Sequence, residues 1–118
     1  MEHFSYIDNS LLREDATIAS IVDRYGTPFY IYSKAALEQN YQAYEKAFEG
    51  HSHLICYAVK ANSNLAVLNV LSKLGAGFDI VSGGELDRVI AAGGDPKKVT
   101  FSGLGKTCLL YTSPSPRD

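Results

Sequence analysis

The chain has 118 residues, 46% of them hydrophobic and 20% charged, which is enough to bury a core and too apolar for obligate disorder. Eleven Lys and Arg against thirteen Asp and Glu leave a net charge of −2, so the basic face of a nucleic-acid binder is not expected. No apolar run reaches the roughly 18 residues of a membrane span. The opening MEHFSYIDNS lacks the regions of a secretory leader, and Cys56 and Cys108 are too few for a disulfide scaffold. A cytoplasmic protein of about one domain is the first expectation, with neither membrane nor nucleic acid as partner.

The pattern then alternates between helix and strand. Asp15 can cap a helix whose apolar positions are Ile18, Ile21, Val22 and Tyr25, stopped by Gly26. After Pro28, the aromatic run Phe29–Tyr32 predicts a strand. Ser33 can cap a second helix carried by Leu37, Tyr41, Tyr44 and Phe48, with Gly50 ending it. The continuous apolar run Leu54–Val59 predicts a strand buried on both faces. Leu65, Leu68, Leu71 and Leu74 mark a helix closed by Gly75, and Phe78–Val81 a short strand. Ser82-Gly83-Gly84-Glu85 has the form of a capping box, opening a helix with Leu86, Val89 and Ile90 inward. Gly93–Pro96 reads as a turn, and Val99–Ser102 as a further strand.

Strands beginning at Leu54, Phe78 and Val99, separated by helices, predict parallel βα units in an α/β fold. A doubly wound sheet and the start of a (β/α)8 barrel both fit. In either, chemistry belongs at the C-terminal ends of the strands, which singles out Lys60, Asp79 and Ser102 or Gly103. Lys60 follows an apolar strand, where desolvation can favour the neutral, nucleophilic amine that Schiff-base chemistry needs; a solvated strand-end lysine is the plainer reading. Asp79 lies inside a strand, where Asp is disfavoured, and is either a site carboxylate or a paired structural charge.

Other motifs carry less. Gly105-Lys106-Thr107 lacks the upstream glycine of a phosphate-binding loop, since position 100 is Thr100. Gly75-Ala76-Gly77 follows a helix, so a dinucleotide fingerprint does not apply. Ser82–Gly84 is explained by helix capping as well as by anion binding. His51 and His53 have no third ligand nearby and read as surface residues, so no metal is expected. Cys56 reads as a small core hydrophobe.

Taken together, Tyr57-Ala-Val-Lys60-Ala-Asn62, Gly77-Phe-Asp79-Ile-Val-Ser82-Gly-Gly-Glu85-Leu86, Phe101-Ser-Gly-Leu-Gly-Lys-Thr107 and Tyr25-Gly-Thr-Pro-Phe-Tyr-Ile-Tyr-Ser33 resemble the N-terminal part of the diaminopimelate decarboxylase family. The resemblance covers residues 1–107. It implies a partial (β/α)8 TIM barrel of the alanine-racemase-like type, containing the first three βα units over residues 33–107. Residues 1–32 would pack with a separate β-domain. By the same resemblance Lys60 is the lysine that holds pyridoxal 5'-phosphate, and Asp79 is the cofactor-binding aspartate near it. The implied reaction is decarboxylation of meso-diaminopimelate to L-lysine by a homodimer with a shared active site.

The family's glycine-rich phosphate loop, pyridine-nitrogen partner, substrate-binding arginine and cross-dimer cysteine have no counterpart in the 118 residues. Residues 108–118, CLLYTSPSPRD, read as the translation of a transposase sequencing adaptor and are set aside from fold reasoning. The chain by itself is therefore expected to be an inactive fragment of the parent enzyme. Related barrel decarboxylases of ornithine, arginine or carboxynorspermidine share the lysine-bearing strand and stay open as alternatives, as does a non-catalytic cofactor-binding regulator.

Overall fold

The computed structural model describes residues 3–104. Strands β1 (Phe4–Ile7), β2 (Ser10–Arg13) and β3 (Ala16–Thr17) form an antiparallel sheet in that order. Asp8 and Asn9 link β1 to β2 with φ of 50° and 64°. Two successive left-handed residues make the tight hairpin turn that Asn and Asp tolerate and whose twist matches the flanking strands. Helix α1 (Ile18–Tyr25) follows, and its cap is Thr17, whose hydroxyl accepts the Ser20 amide at 3.2 Å. The expected capping by Asp15 is thus corrected: the β3 pairing runs through Ala16 and Thr17 and moves the helix start onward. Gly26 closes α1 as predicted.

Phe29–Tyr32 forms no strand. It lies between α1 and the next helix and pairs with nothing among the described residues, and Tyr30 is 91% exposed. The aromatic run has strand propensity, but a strand also needs a partner ladder. Helix α2 (Lys34–Ala47) starts where predicted, with the Ser33 hydroxyl accepting the Ala36 amide at 2.9 Å. The Glu14 carboxylate reinforces that start, accepting from the Ser33 hydroxyl at 2.8 Å and the Ala35 amide at 3.0 Å. Those two bonds, then the charge of Arg13, hold the Glu14 carboxyl below the usual range. The N-terminal hairpin is thereby fastened to α2.

The second sheet is parallel, in the order β4 (Cys56–Ala58), β5 (Gly77–Ile80), β6 (Val99–Phe101), as the alternating pattern predicts. Helices α3 (Leu65–Lys73) and α4 (Gly83–Ala91) make the crossovers. One sheet face is packed: Phe78, Ile80 and Val99 are fully buried there, with Phe101 beside them and Leu68 and Val89 arriving from the helices. Each such side chain contributes about 2 kcal/mol by leaving water. The other face carries Cys56, Ala58, Asp79 and Thr100, all half-buried. The prediction that β4 is buried on both faces is therefore wrong for the described residues, and its ladder is three residues long because Val59 turns away.

Two local expectations also shift. Ile90 is half-exposed rather than inward, leaving Val89 as the buried anchor of α4. In the capping box, the Ser82 hydroxyl accepts the Glu85 amide at 3.2 Å, but the Glu85 carboxylate accepts the Val81 amide at 2.7 Å instead of that of Ser82. Gly77 is fixed by space: a Cβ there would lie 2.6 Å from the Lys98 carbonyl and 2.8 Å from the Cys56 sulfur.

Among the described residues β4 and β6 each leave one edge unpaired. Exposed edges beside a half-covered apolar face favour association. The isolated chain is expected to self-associate at micromolar concentration in size-exclusion chromatography with light scattering; a monomer with a single cooperative melt would contradict this.

Candidate functional site

The parallel register sets Ala58 beside Asp79, and Asp79 beside Thr100. β4 ends one register step before β5 and β6, and the residues just beyond the three strands share one edge. After Ala58 the chain enters a single 3-10 turn, Val59–Ala61, which carries Lys60 and packs against β5. Val59 is fully buried and anchors the turn, while Lys60 projects as an exposed amine. Its ammonium makes no hydrogen bond or ion pair with any described residue. Burial of the amine, the reason for singling it out in the sequence, is not supplied by residues 3–104.

The turn is held from three sides. The Tyr57 hydroxyl donates to the Asn62 carbonyl at 3.1 Å. Burial pushes the Tyr57 phenol up, and the nearby Tyr32 adds to that shift. Asn62 in turn accepts the Asn64 amide on its side-chain oxygen at 3.0 Å, and Asn64 caps α3 by accepting the Ala66 amide at 2.8 Å. Arg88 on α4 donates to the Ser63 carbonyl at 3.1 Å. Tyr57 and Arg88 thus position the loop that presents Lys60. Sequence reasoning missed that role for both: nothing in local spacing links Arg88 to Ser63.

Asp79 lies within β5 on the half-buried face, and the Ser102 hydroxyl donates to its Oδ1 at 2.5 Å. Ser102 directly follows β6, and its own amide donates to the Ile80 carbonyl at 3.0 Å. Of the strand-end residues singled out, the structure therefore joins Asp79 to Ser102 and sets Lys60 on the adjoining turn. Gly103 is kept small by space, since a Cβ would come within 2.9 Å of the Phe101 ring and 3.0 Å of the Val81 carbonyl. Gly105-Lys106-Thr107 lies outside the described residues.

Cys56 is not the core hydrophobe expected. It is half-buried on the face of Asp79, and burial first, then the Asp79 charge, push its thiol up, with a contact from Thr100 acting the other way. His53 bonds the Glu45 carboxylate at 3.1 Å, and the His51 carbonyl lies 2.7 Å from the His53 ring. Tyr41 is buried against the sheet and donates to Glu45 at 2.9 Å, whereas Tyr44 is exposed. Burial, with the Glu45 bond second, pushes the Tyr41 phenol up to about 12.

A free primary amine at a strand end, with a carboxylate on the neighbouring strand already fixed by a hydroxyl, is a donor set suited to holding a carbonyl cofactor covalently and opposing a positive charge on it. A family model described as pyridoxal-dependent decarboxylase, pyridoxal binding domain, matches residues 34–108. The chain belongs to that family. It is similar to the diaminopimelate decarboxylase of Pseudomonas aeruginosa, 62% identical over 107 residues, which is 91% of this chain and 26% of that protein. The Vibrio cholerae diaminopimelate decarboxylase is 58% identical over 108 residues, again 91% of this chain and 26% of that one. Among solved structures, one from Aquifex aeolicus superposes with a TM-score of 0.83 at 43% identity, covering 89% of this chain and 26% of that chain. The M. jannaschii diaminopimelate decarboxylase in co-complex with L-lysine gives 0.85 at 34% identity, over 90% and 26%. The chain thus spans about a quarter of the length of the relatives it matches. No helix among the described residues is long and apolar enough to cross a membrane.

The proximity of Asp79 to Cys56 is open to test. Replacing Asp79 by Asn is expected to lower the pH at which Cys56 alkylation by iodoacetamide reaches half its maximal rate, and so to speed the reaction a few-fold at pH 8, because less charge opposes the thiolate. An unchanged or higher midpoint would show that the carboxylate does not face the thiol.

Proposed function

We propose that residues 1–107 are the N-terminal quarter of a diaminopimelate decarboxylase, and that residues 33–107 are the first three βα units of its eight-stranded barrel. Residues 1–32 belong with the β-domain of that enzyme, and residues 108–118 are foreign to it. The reaction is loss of the carboxylate from one end of meso-diaminopimelate. The carbon–carbon bond breaks, carbon dioxide leaves, and a proton takes its place to give L-lysine. The observation that carries this reading is the strand register, which sets the Lys60 turn and the Asp79–Ser102 pair on one edge in a chain of this family.

Within that reading, Lys60 is the residue that holds pyridoxal 5'-phosphate, and Asp79 stands beside it as a fixed negative charge. When bound, the cofactor supplies an electron sink for the pair left on carbon as carbon dioxide departs. The chain's own residues prepare the place. Tyr57 and Arg88 hold the Asn62 and Ser63 carbonyls just after Lys60, so the Lys60 amine is presented from a held turn. Among the described residues nothing pairs with the Lys60 amine, which leaves it available for covalent attachment. The buried face under it, formed by Phe78, Ile80, Val99 and Phe101, gives these side chains a rigid base. The phosphate-binding and substrate-carboxylate groups come from later parts of the enzyme, which acts as a homodimer in the cytoplasm.

The test is decarboxylation by the full-length enzyme supplied with pyridoxal 5'-phosphate. It is expected to release carbon dioxide from meso-diaminopimelate and not from ornithine or arginine, and Lys60→Ala is expected to lower kcat by about a thousandfold or more. Turnover of ornithine or arginine instead would contradict the substrate, and near-normal activity in Lys60→Ala would contradict the site.

A further inference from the structure

We propose that Ser102 is a positioning residue for the decarboxylase site, acting by fixing which oxygen and which direction Asp79 presents. The inference rests on the reading above, in which Asp79 stands beside the cofactor. Its grounds are geometric. Ser102 is locked at the backbone, because its amide bonds the Ile80 carbonyl at 3.0 Å across the sheet. That bond continues the β5–β6 ladder one step beyond the last paired residues, Ile80 and Phe101. The side chain alternates with Phe101, which is buried on the packed face, so the Ser102 hydroxyl emerges on the opposite face, where Asp79 lies.

The hydroxyl reaches Asp79 Oδ1 at 2.5 Å. A carboxylate on a strand turns freely about its last torsion unless something holds it. With Oδ1 held by Ser102, Oδ2 is the carboxylate oxygen left for another partner. No other described side chain donates to Asp79. Ser102 is therefore the single described hydroxyl that sets the carboxylate's orientation.

The experiment is a double-mutant cycle in the full-length enzyme, with Ser102→Ala, Asp79→Ala and the pair. Two quantities are read: kcat, and the dissociation constant of pyridoxal 5'-phosphate from the apoenzyme, followed by fluorescence quenching. Ser102→Ala is expected to weaken cofactor binding about tenfold and to lower kcat with KM little changed. Ser102→Thr, which keeps the hydroxyl, is expected to restore most of the loss. In the Asp79→Ala background, Ser102→Ala is expected to have no further effect, because there is no carboxylate left to orient.

A loss as large in the Asp79→Ala background as in the wild type would overturn the proposal, since Ser102 would then act by another route. Wild-type binding and kcat in Ser102→Ala, with Asp79→Ala impaired, would overturn it too while leaving the site reading intact. Unimpaired Asp79→Ala would instead remove the site reading on which the proposal stands.

Discussion

The candidate site at the strand ends depends on the parallel pairing that sets Ala58 against Asp79 and Asp79 against Thr100. Side chains on a strand alternate between faces, so a slip of one residue would turn Asp79 into the packed layer and bring Phe78 or Ile80 out. The burial of Phe78, Ile80, Val99 and Phe101 opposes that slip, since exposing each would cost about 2 kcal/mol. Gly77 opposes it as well. The Lys98 carbonyl and the Cys56 sulfur crowd the place of its missing Cβ, so no other residue of β5 fits that position. The site carboxylate is thus held by apolar packing on the opposite side of the sheet.

A second constraint joins the N-terminal hairpin to the rest. Glu14 accepts from Ser33 and Ala35 at the start of α2, and the buried Arg13 guanidinium reaches the same carboxylate at 3.3 Å while lying 4.5 Å over the Phe4 ring. A carboxylate at a helix N-terminus also meets the favourable end of the helix dipole. Because folding lowers the Glu14 pKa, this fastening is present above the ordinary glutamate range and is lost as pH falls through the lowered value. The hairpin therefore enters the molecule through a charged contact at the first residues of α2.

Periodicity disclosed α2, α3, α4 and the three parallel strands, because each carries a regular apolar stripe or run, even where the structure buries only part of it. The strand-end rule then pointed to Lys60, Asp79 and Ser102 or Gly103 without any contact being known. What stayed hidden depended on partners distant in the chain. Phe29–Tyr32 has the composition of a strand but no ladder to join, and Asp15 lost its capping role to Thr17 because β3 pairs first. The N-terminal hairpin had a local signal, the Asp8-Asn9 pair between FSYI and SLLR, but its strands are too short and too exposed for alternation to stand out. At the site, the Arg88–Ser63 bond spans 25 residues, and the Ser102–Asp79 bond follows only once the register is known.

The central claim is that Lys60 is the lysine to which pyridoxal 5'-phosphate is attached. Borohydride reduction of the full-length protein loaded with the cofactor, followed by peptide mass mapping, tests it most directly. The account predicts one reduced phosphopyridoxyl group, on Lys60, and none at that position once Lys60→Ala is introduced. A stoichiometric label on a different lysine, or no label at all in the loaded protein, would contradict it.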